Sequence, residues 1–106
     1  MNVFVFQVGG AGGIPDCAQD MWEACGAKSV LQYTWDARRN TNSPLHNPRN
    51  GARLRFDRAY FAQNRNSRVV EPKHFGLQGL VKVPGHQCFP SDHWALYYEF
   101  KRLPQR

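Results

Sequence analysis

The chain has 106 residues, enough for one small domain, and its 42% hydrophobic and 13% aromatic residues suffice for a packed core. Its formal net charge of +6 favours polyanionic partners such as nucleic acid, although many small basic proteins bind none. No segment approaches the roughly 20 apolar residues that a membrane span requires. The opening MNVFVFQVGG has no basic n-region and a short apolar run, which argues against a secretory signal peptide.

The three cysteines indicate a reducing compartment. No CxxC pair occurs, so a structural zinc site is not expected. If Cys17 and Cys25 share a helix, they lie about 12 Å apart along its axis, too far for a disulfide. We therefore expect an intracellular protein, nuclear or cytoplasmic, that is not secreted.

The first predicted elements are a strand, a short helix and a second strand. Residues 2–8 (NVFVFQV) are typical of a strand buried on both faces, which ends at the glycine-rich GGAGGIP. Asp16 is predicted to cap a helix that Gly26 closes. The apolar face of this helix would consist of Cys17, Met21, Trp22 and Cys25. Residues 29–35 (SVLQYTW) are predicted to form the second strand.

The second half is predicted to hold three more strands between polar connections. Residues 36–51 form a long polar loop, and such loops are often functional. Strands are predicted over residues 52–63 (ARLRFDRAYFAQ), 77–85 (LQGLVKVPG) and 93–103 (HWALYYEFKRL), with the last one buried on both faces. Residues 64–76 are predicted to be a turn-rich connection.

Together these elements predict an α/β or α+β fold of four or five strands with one helix. The sequence has no internal repeat. One helix cannot cover a sheet whose strands are apolar on both faces. The chain, residues 1–106, is therefore predicted to be a single partial domain. We expect it to self-associate or to pair with a missing N-terminal half.

The stretch PSDHWAL places Asp92 beside His93 at the entrance of the last strand. Such a carboxylate can hold a divalent cation, and the imidazole can donate to a phosphoryl oxygen as negative charge develops. The histidine then needs a second carboxylate on its far nitrogen, and Asp57 in RFDR is the candidate. The alternative is that Asp92 caps a turn and His93 is an ordinary half-buried histidine.

Several motifs occur in an order that resembles a known family. They are GGIPDCAQDMWEACG, QYTWD, the Asn-rich NTNS, RLRFDRAYF, LQGLVKV and CFPSDHWAL. Over roughly residues 9–100, with an insertion around residues 46–51, the chain resembles the C-terminal half of the tyrosyl-DNA phosphodiesterase 2 family. That family belongs to the endonuclease/exonuclease/phosphatase superfamily, which also contains the DNase I-like nucleases. The resemblance implies the C-terminal half of a four-layer α/β sandwich.

The resemblance also implies roles for the residues that match these motifs. Asp92 would help to hold a catalytic Mg²⁺, with Mn²⁺ as the alternative, His93 would contact the scissile phosphate and Asp57 would orient His93. An apolar wall against the 5′ end of DNA would consist of Trp35, Leu45 and Phe56. Asn40 and Asn42 fall in the Asn-rich, substrate-binding loop of the family, and which of them touches substrate stays open. The histidines His46, His74 and His86 match no catalytic position and are expected on the surface.

Two structural alternatives apply to these residues. Trp35 and Phe56 are large aromatics on predicted strands, where such residues usually belong to the core. Asp57 is flanked by Arg55 and Arg58, which could simply neutralise it. Phe56 and Asp57 also point to opposite faces of a regular strand, so both reach one site only where the pleat is lost.

The implied activity is Mg²⁺-dependent hydrolysis of a 5′-phosphotyrosyl bond to DNA, as in DNA repair. The family's metal-binding Asn and Glu and its GDxN-like loop are not matched in this sequence. We therefore expect the chain alone to be inactive or nearly so. One alternative is a non-catalytic nucleic-acid-binding or scaffold domain, and another is a different phosphodiesterase of the same superfamily, acting on phosphoinositides or RNA.

Overall fold

The computed structural model describes the backbone of residues 3–7 and both backbone and side chains of residues 17–105. The strands are β1 (Val3–Gln7), β2 (Ala18–Asp20), β3 (Trp35–Asp36), β4 (Arg53–Leu54), β5 (Ala59–Gln63), β6 (Val70–Gln78) and β7 (Ala95–Arg102). They pair antiparallel in three sheets, ordered β1-β5-β2, β3-β4 and β6-β7. With one helix, α1 (Met21–Ala24), this is the mainly antiparallel fold with a short helix that the sequence predicts. Across residues 3–7 and 17–105, no helix is long and apolar enough to cross a membrane.

The helix α1 is a single turn and begins later than predicted. Its N-cap is Asp20, whose Oδ1 accepts a hydrogen bond from the Trp22 backbone N–H at 3.0 Å. The predicted cap, Asp16, lies outside the described residues, and residues 18–20 form a strand instead of a first helical turn. Cys17 is therefore exposed and does not belong to the apolar face. Gly26 ends the helix as predicted, with φ at +102°.

The core lies between α1, β5 and one face of the β6–β7 hairpin. Its buried side chains are Met21, Ala59, Phe61 and Phe75. Partly buried residues that pack against them are Trp22, Cys25, Leu31, Val70, Leu77, Leu96, Tyr98 and Phe100. The hairpin is thus packed on one face only. Burial also raises the pKa of the Cys25 thiol.

Two of the predicted strands are much shorter in the structure. The predicted strand over residues 29–35 is wrong, because Ser29–Leu31 is a 3-10 turn with Val30 78% exposed, and only Trp35 joins a strand. The predicted strand over residues 52–63 is divided into β4 and β5 by residues 55–58, which belong to no strand. That break bears directly on the site.

Three further predictions, all for segments of the β6–β7 hairpin, differ from the structure. Residues 70–76 belong to β6 and not to a turn-rich connection, and a shift in register between Pro72 and His74 accommodates the proline. The predicted strand over residues 77–85 ends after Gln78, because Gly79 has φ at +80°. The last strand exists, as β7, but none of its residues is fully buried.

The outer face of the hairpin is polar, which is why β7 is not buried on both faces. Lys73 lies 3.8 Å from Glu99, and Lys101 lies 4.0 Å from Glu71. The Tyr97 hydroxyl donates to Glu99, and this hydrogen bond raises the pKa of Tyr97 and lowers that of Glu99. Such a face is stable in water without a covering layer.

The polar loop between β3 and β4 closes tightly on itself. The Ala37 carbonyl accepts from the Asn47 backbone N–H at 2.8 Å, and the Asn47 carbonyl accepts from Gly51 N–H at 2.8 Å. A Cβ on Gly51 would lie 2.6 Å from the carbonyl carbon and oxygen of Ala37. The residue at this position must therefore be glycine. The same Ala37 carbonyl also lies 2.9 Å from the Nδ1 of His46. Surface positions were predicted for His46, His74 and His86; the last two are exposed, whereas His46 is half-buried.

Candidate active site

His93 and Asp57, which are 36 residues apart in the chain, meet in the structure as the sequence predicts. The His93 Nδ1 lies 2.6 Å from the Asp57 Oδ2, and both side chains are about one-third exposed, at 39% and 33%. Because a carboxylate only accepts, the His93 Nδ1 is the donor in this pair. The Nε2 of His93 is then the nitrogen left for a ligand.

The break between β4 and β5 is what brings Phe56 and Asp57 to the same site. In a regular strand these neighbours would point to opposite faces. Without a ladder at residues 55–58, the Asp57 backbone N–H instead donates to the Thr34 Oγ1 at 3.0 Å. The Phe56 ring then lies 6.2 Å from the His93 ring. The condition under which both residues reach one site, a loss of the pleat, is therefore met, although the strand was predicted to be continuous.

The arginines on either side of Asp57 are engaged elsewhere. Arg55 forms an ion pair with Asp20 and stacks on Trp22, with its guanidinium carbon 4.5 Å from the ring centroid. The Nε of Arg58 donates to the Arg55 carbonyl at 3.2 Å. The alternative in which Asp57 is merely neutralised by its flanking arginines is therefore wrong, since its partner is His93.

An aromatic pair stands beside the His93–Asp57 pair. Trp35 and Phe56 have ring centroids 5.7 Å apart at 44°, and Phe56 is 50% exposed. Phe56 is thus not a core residue and presents an open ring. Leu45 lies in the β3–β4 loop and is 65% exposed, and its place in the same wall stays a prediction.

Asn40 and Asn42 fasten the β3–β4 loop to the segment before His93. Asn40 is fully buried, and its Nδ2 donates to the Ser91 carbonyl at 3.0 Å. Asn42 donates from Nδ2 to the Phe89 carbonyl at 2.7 Å and accepts the Phe89 N–H at 2.9 Å. Both carboxamides are thus used inside the protein. Contact of either with substrate stays a prediction.

Asp92 is exposed next to the pair. Its Oδ1 lies 3.5 Å from the Ser91 hydroxyl, which also accepts the His93 backbone N–H at 3.1 Å. Among the side chains at positions 17–105, no group of three or more His, Cys, Asp or Glu could hold a metal ion. Mg²⁺ requires near-octahedral coordination, so Asp92 would be one ligand among several that the described residues do not supply.

A cavity of about 330 Å³ lies along the base of the site. It is lined by Asp57, Ser91, His93, Trp94, Ala95 and Leu96. The cavity is wide enough for a small anionic group, and the paired imidazole and carboxylate lie on its wall. The geometry suits recognition of a phosphoryl oxygen by His93.

The comparisons with known proteins identify the relatives of this fold. No model of a known protein family matches the chain. The chain is 37% identical over 87 residues to the 5′-tyrosyl-DNA phosphodiesterase of Caenorhabditis elegans and 37% identical over 94 residues to tyrosyl-DNA phosphodiesterase 2 of Gallus gallus. These matches cover 82% and 89% of this chain, but 22% and 24% of those proteins.

The crystal structure of the Danio rerio enzyme complexed with a single-stranded DNA product superposes with a TM-score of 0.78 at 30% identity. The match covers 93% of this chain and 42% of that one. The chain is tyrosyl-DNA phosphodiesterase 2-like. It spans about a quarter of the length of the curated relatives it matches.

This tyrosyl-DNA phosphodiesterase 2-like chain holds its site together with residues that the sequence did not single out. Thr34 supports Asp57, and Asp20 anchors Arg55 on the other side of the break. Asp20 followed by Glu23 is a recognisable helix-start pattern, so its capping role had a sequence signal. Thr34 had none beyond its place before Trp35.

Proposed function

We propose that this chain carries the phosphate-facing corner of a phosphodiesterase that hydrolyses 5′-phosphotyrosyl bonds to DNA during repair. The observation that carries the proposal is the 2.6 Å His93–Asp57 contact beside the ring pair of Trp35 and the half-exposed Phe56. It occurs in a chain 37% identical to a 5′-tyrosyl-DNA phosphodiesterase. We place the protein in the nucleus or cytoplasm.

Each residue of the corner has a distinct role in this proposal. The Nε2 of His93 donates to a non-bridging phosphoryl oxygen and stabilises the charge that develops as water attacks and the tyrosine oxygen leaves. Asp57 fixes the orientation of the imidazole ring by accepting a hydrogen bond from its Nδ1. Asp92 supplies one oxygen ligand to Mg²⁺ or Mn²⁺, and the remaining ligands come from outside the described residues.

DNA is the proposed partner, and the aromatic pair is its platform. The Danio rerio relative was crystallised with a single-stranded DNA product. In this chain Trp35 and the half-exposed Phe56 offer faces on which a terminal base can stack, and the net charge of +6 attracts the phosphate backbone. Leu45 would extend the wall, and Asn40 and Asn42 would hold its loop in place.

The enzyme proposal is tested on the chain alone and on a chimera in which it replaces the matching segment of the Danio rerio relative. On a 5′-tyrosyl oligonucleotide, the chimera should hydrolyse the substrate with Mg²⁺ and lose activity with His93→Ala. The chain alone should show only trace activity at any Mg²⁺ concentration, because residues that act as a unit fail together. A folded chimera without activity would contradict the proposal.

Binding by the chain with Trp35→Ala or His93→Ala separates the enzyme from a second candidate function, a non-catalytic nucleic-acid-binding or scaffold domain. The exposure of Phe56 also favours this second function. In that second function, binding of a single-stranded oligonucleotide to the chain weakens with salt, and Trp35→Ala weakens it more than His93→Ala. Trp35→Ala should lower the free energy of binding by on the order of 1–3 kcal/mol, the usual contribution of one stacked base.

A phosphodiesterase of the same superfamily with another substrate is excluded if the chimera prefers the 5′-tyrosyl DNA over RNA and phosphoinositide substrates.

We also propose that a free edge of the β6–β7 hairpin pairs with another strand, from the remaining portion of the domain or from a second copy of this chain. In the described residues each of these strands pairs only with the other. Unpaired edges of this length attract another strand. Sedimentation velocity should therefore show self-association of the isolated chain. A purely monomeric species at about 50 μM would contradict this expectation.

A further inference from the structure

Thr34, the residue before β3, makes three hydrogen bonds from a fully buried position. It is 1% exposed. Its backbone N–H donates to the Leu54 carbonyl at 3.2 Å, and its carbonyl accepts the Trp94 N–H at 2.7 Å. Its hydroxyl oxygen accepts the Asp57 N–H at 3.0 Å. One residue thus contacts both segments that carry the candidate pair.

These bonds form a closed ring around the site. The ring runs from the Thr34 carbonyl to Trp94, along the chain to its neighbour His93, across to the Asp57 carboxylate, and back from the Asp57 amide to the Thr34 hydroxyl. The His93–Asp57 contact is therefore one side of a frame whose other sides are held by Thr34. Only one of those sides depends on a side chain, the Thr34 hydroxyl.

The Thr34 hydroxyl takes the place of the backbone acceptor that a neighbouring strand would offer to the Asp57 amide. Residues 55–58 belong to no strand, so the Asp57 amide takes a side-chain acceptor. This hydrogen bond is partly buried, and a backbone amide without an acceptor there is disfavoured. Loss of the hydroxyl would free the backbone at Asp57 to shift, and the carboxylate on the same residue would move with it.

We propose that Thr34 is a positioning residue that sets the Asp57 carboxylate against the His93 Nδ1 through its hydroxyl group. The geometric part of this inference is independent of the reaction. Its consequence for turnover rests on the proposed phosphodiesterase function. The two backbone bonds of Thr34 do not use its side chain, so Thr34→Val removes the hydroxyl without removing either of them.

The test compares Thr34→Val, which removes the hydroxyl at nearly constant shape, with Thr34→Ser, which retains it. In the ¹⁵N-labelled chain, Thr34→Val should raise amide hydrogen exchange at Asp57 by about tenfold or more and should shift the His93 Nδ1 resonance. Thr34→Ser should leave exchange within about twofold and the resonance unchanged. If Thr34→Val does not fold, Thr34→Ala and Thr34→Ser are compared instead, since they differ by the hydroxyl alone.

Ser43 provides a matched control. It is 4% exposed, and its hydroxyl accepts the Leu45 N–H at 3.2 Å in the same way, but in the β3–β4 loop. Ser43→Ala should raise exchange at Leu45 and leave the His93 resonance in place. An unchanged His93 resonance in Thr34→Val, or an equal change in Thr34→Ser, would overturn the inference.

Turnover by the chimera separates this inference from the proposed function. There Thr34→Val should lower kcat about tenfold with KM within about twofold, and Thr34→Ser should restore kcat, because the hydroxyl acts on the catalytic pair and not on DNA binding. If the folded chimera is inactive but the resonance data hold, the function fails and the positioning role stands. If the chimera is active and Thr34→Val leaves its kcat unchanged, the positioning role in catalysis fails.

Discussion

Replacing Gly51 by alanine is expected to lower the free energy of unfolding by about 3 kcal/mol, since overpacking and lost hydrogen bonds act together. The added Cβ would lie 2.6 Å from the carbonyl carbon and oxygen of Ala37 and 2.7 Å from the Asn47 carbonyl oxygen. All three are backbone atoms, so no flexible side chain can move aside. A total stability of about 5–15 kcal/mol is common for small domains, so this loss is a large fraction.

The effect should extend beyond local strain because Gly51 closes the loop that carries Asn40 and Asn42. Its N–H donates to the Asn47 carbonyl at 2.8 Å, and its carbonyl accepts the Arg38 Nε at 3.0 Å. If the loop opens at this point, the carboxamide contacts to Phe89 and Ser91 weaken as well. The segment before His93 then loses its support.

Urea unfolding followed by circular dichroism measures this effect, and Gly76→Ala is the matched control. Gly76 lies in β6, and a Cβ there would lie 3.5 Å from the nearest atom, the His74 Nε2. Alanine should be neutral or slightly stabilising at Gly76, because glycine is costly within a strand. Equal unfolding midpoints for the two variants would show that the contact at Gly51 relaxes freely.

In the chimera, Asp57→Asn is expected to lower kcat/KM by between about 10² and 10⁴, the range for loss of an acid–base group or its orienting carboxylate. The asparagine side chain can occupy the same place 2.6 Å from the His93 Nδ1. An imidazole that donates from Nδ1 to residue 57 and from Nε2 to the phosphoryl oxygen carries a positive charge, and asparagine removes the negative charge opposite it.

Glu71→Gln is the control for removal of one negative charge from a surface residue. Glu71 lies on the hairpin, 4.0 Å from Lys101, and away from the candidate pair. It should change kcat/KM by less than about twofold, since exposed ion pairs contribute little. Retention of more than about a tenth of the parent activity in a folded Asp57→Asn chimera would remove Asp57 from the proposed site.

Much of the candidate site followed from the sequence because its residue types lie in distinct short motifs. The Asp57–His93 pairing was predicted and is present. The break beside Phe56 was recognised only as the condition for both neighbours to reach one site, since the strand was predicted to be continuous. The role of Thr34 was not predicted, because a threonine before a strand carries no signal until its partners are known. The internal use of Asn40 and Asn42 likewise depends on contacts with residues 89–91, far along the chain.

The strands were predicted less well than the site, for reasons particular to each segment. Residues 29–35 are rich in strand-forming types, but Ser29–Leu31 turns into a 3-10 helix after the positive φ values of Gly26 and Ala27. The turn-rich composition of residues 64–76 argued against a strand, yet β6 begins at Val70, and a shift in register between Pro72 and His74 accommodates the proline. The resemblance identified the motifs but not the bounds of β6, because those bounds depend on its pairing with β7.

The ring through Thr34 also has a consequence for the order in which the chain folds. Bringing residues 57 and 93 together closes a long loop, which costs more conformational entropy than a local turn does. The His93–Asp57 contact offsets this cost only after both segments are fixed in place. The candidate pair is therefore expected to form late during folding and to separate early in partial opening. Substitutions at the far end of the β6–β7 hairpin, where Val70 pairs with Arg102, would then act on the site through the lifetime of its closed state, with no change in its resting geometry.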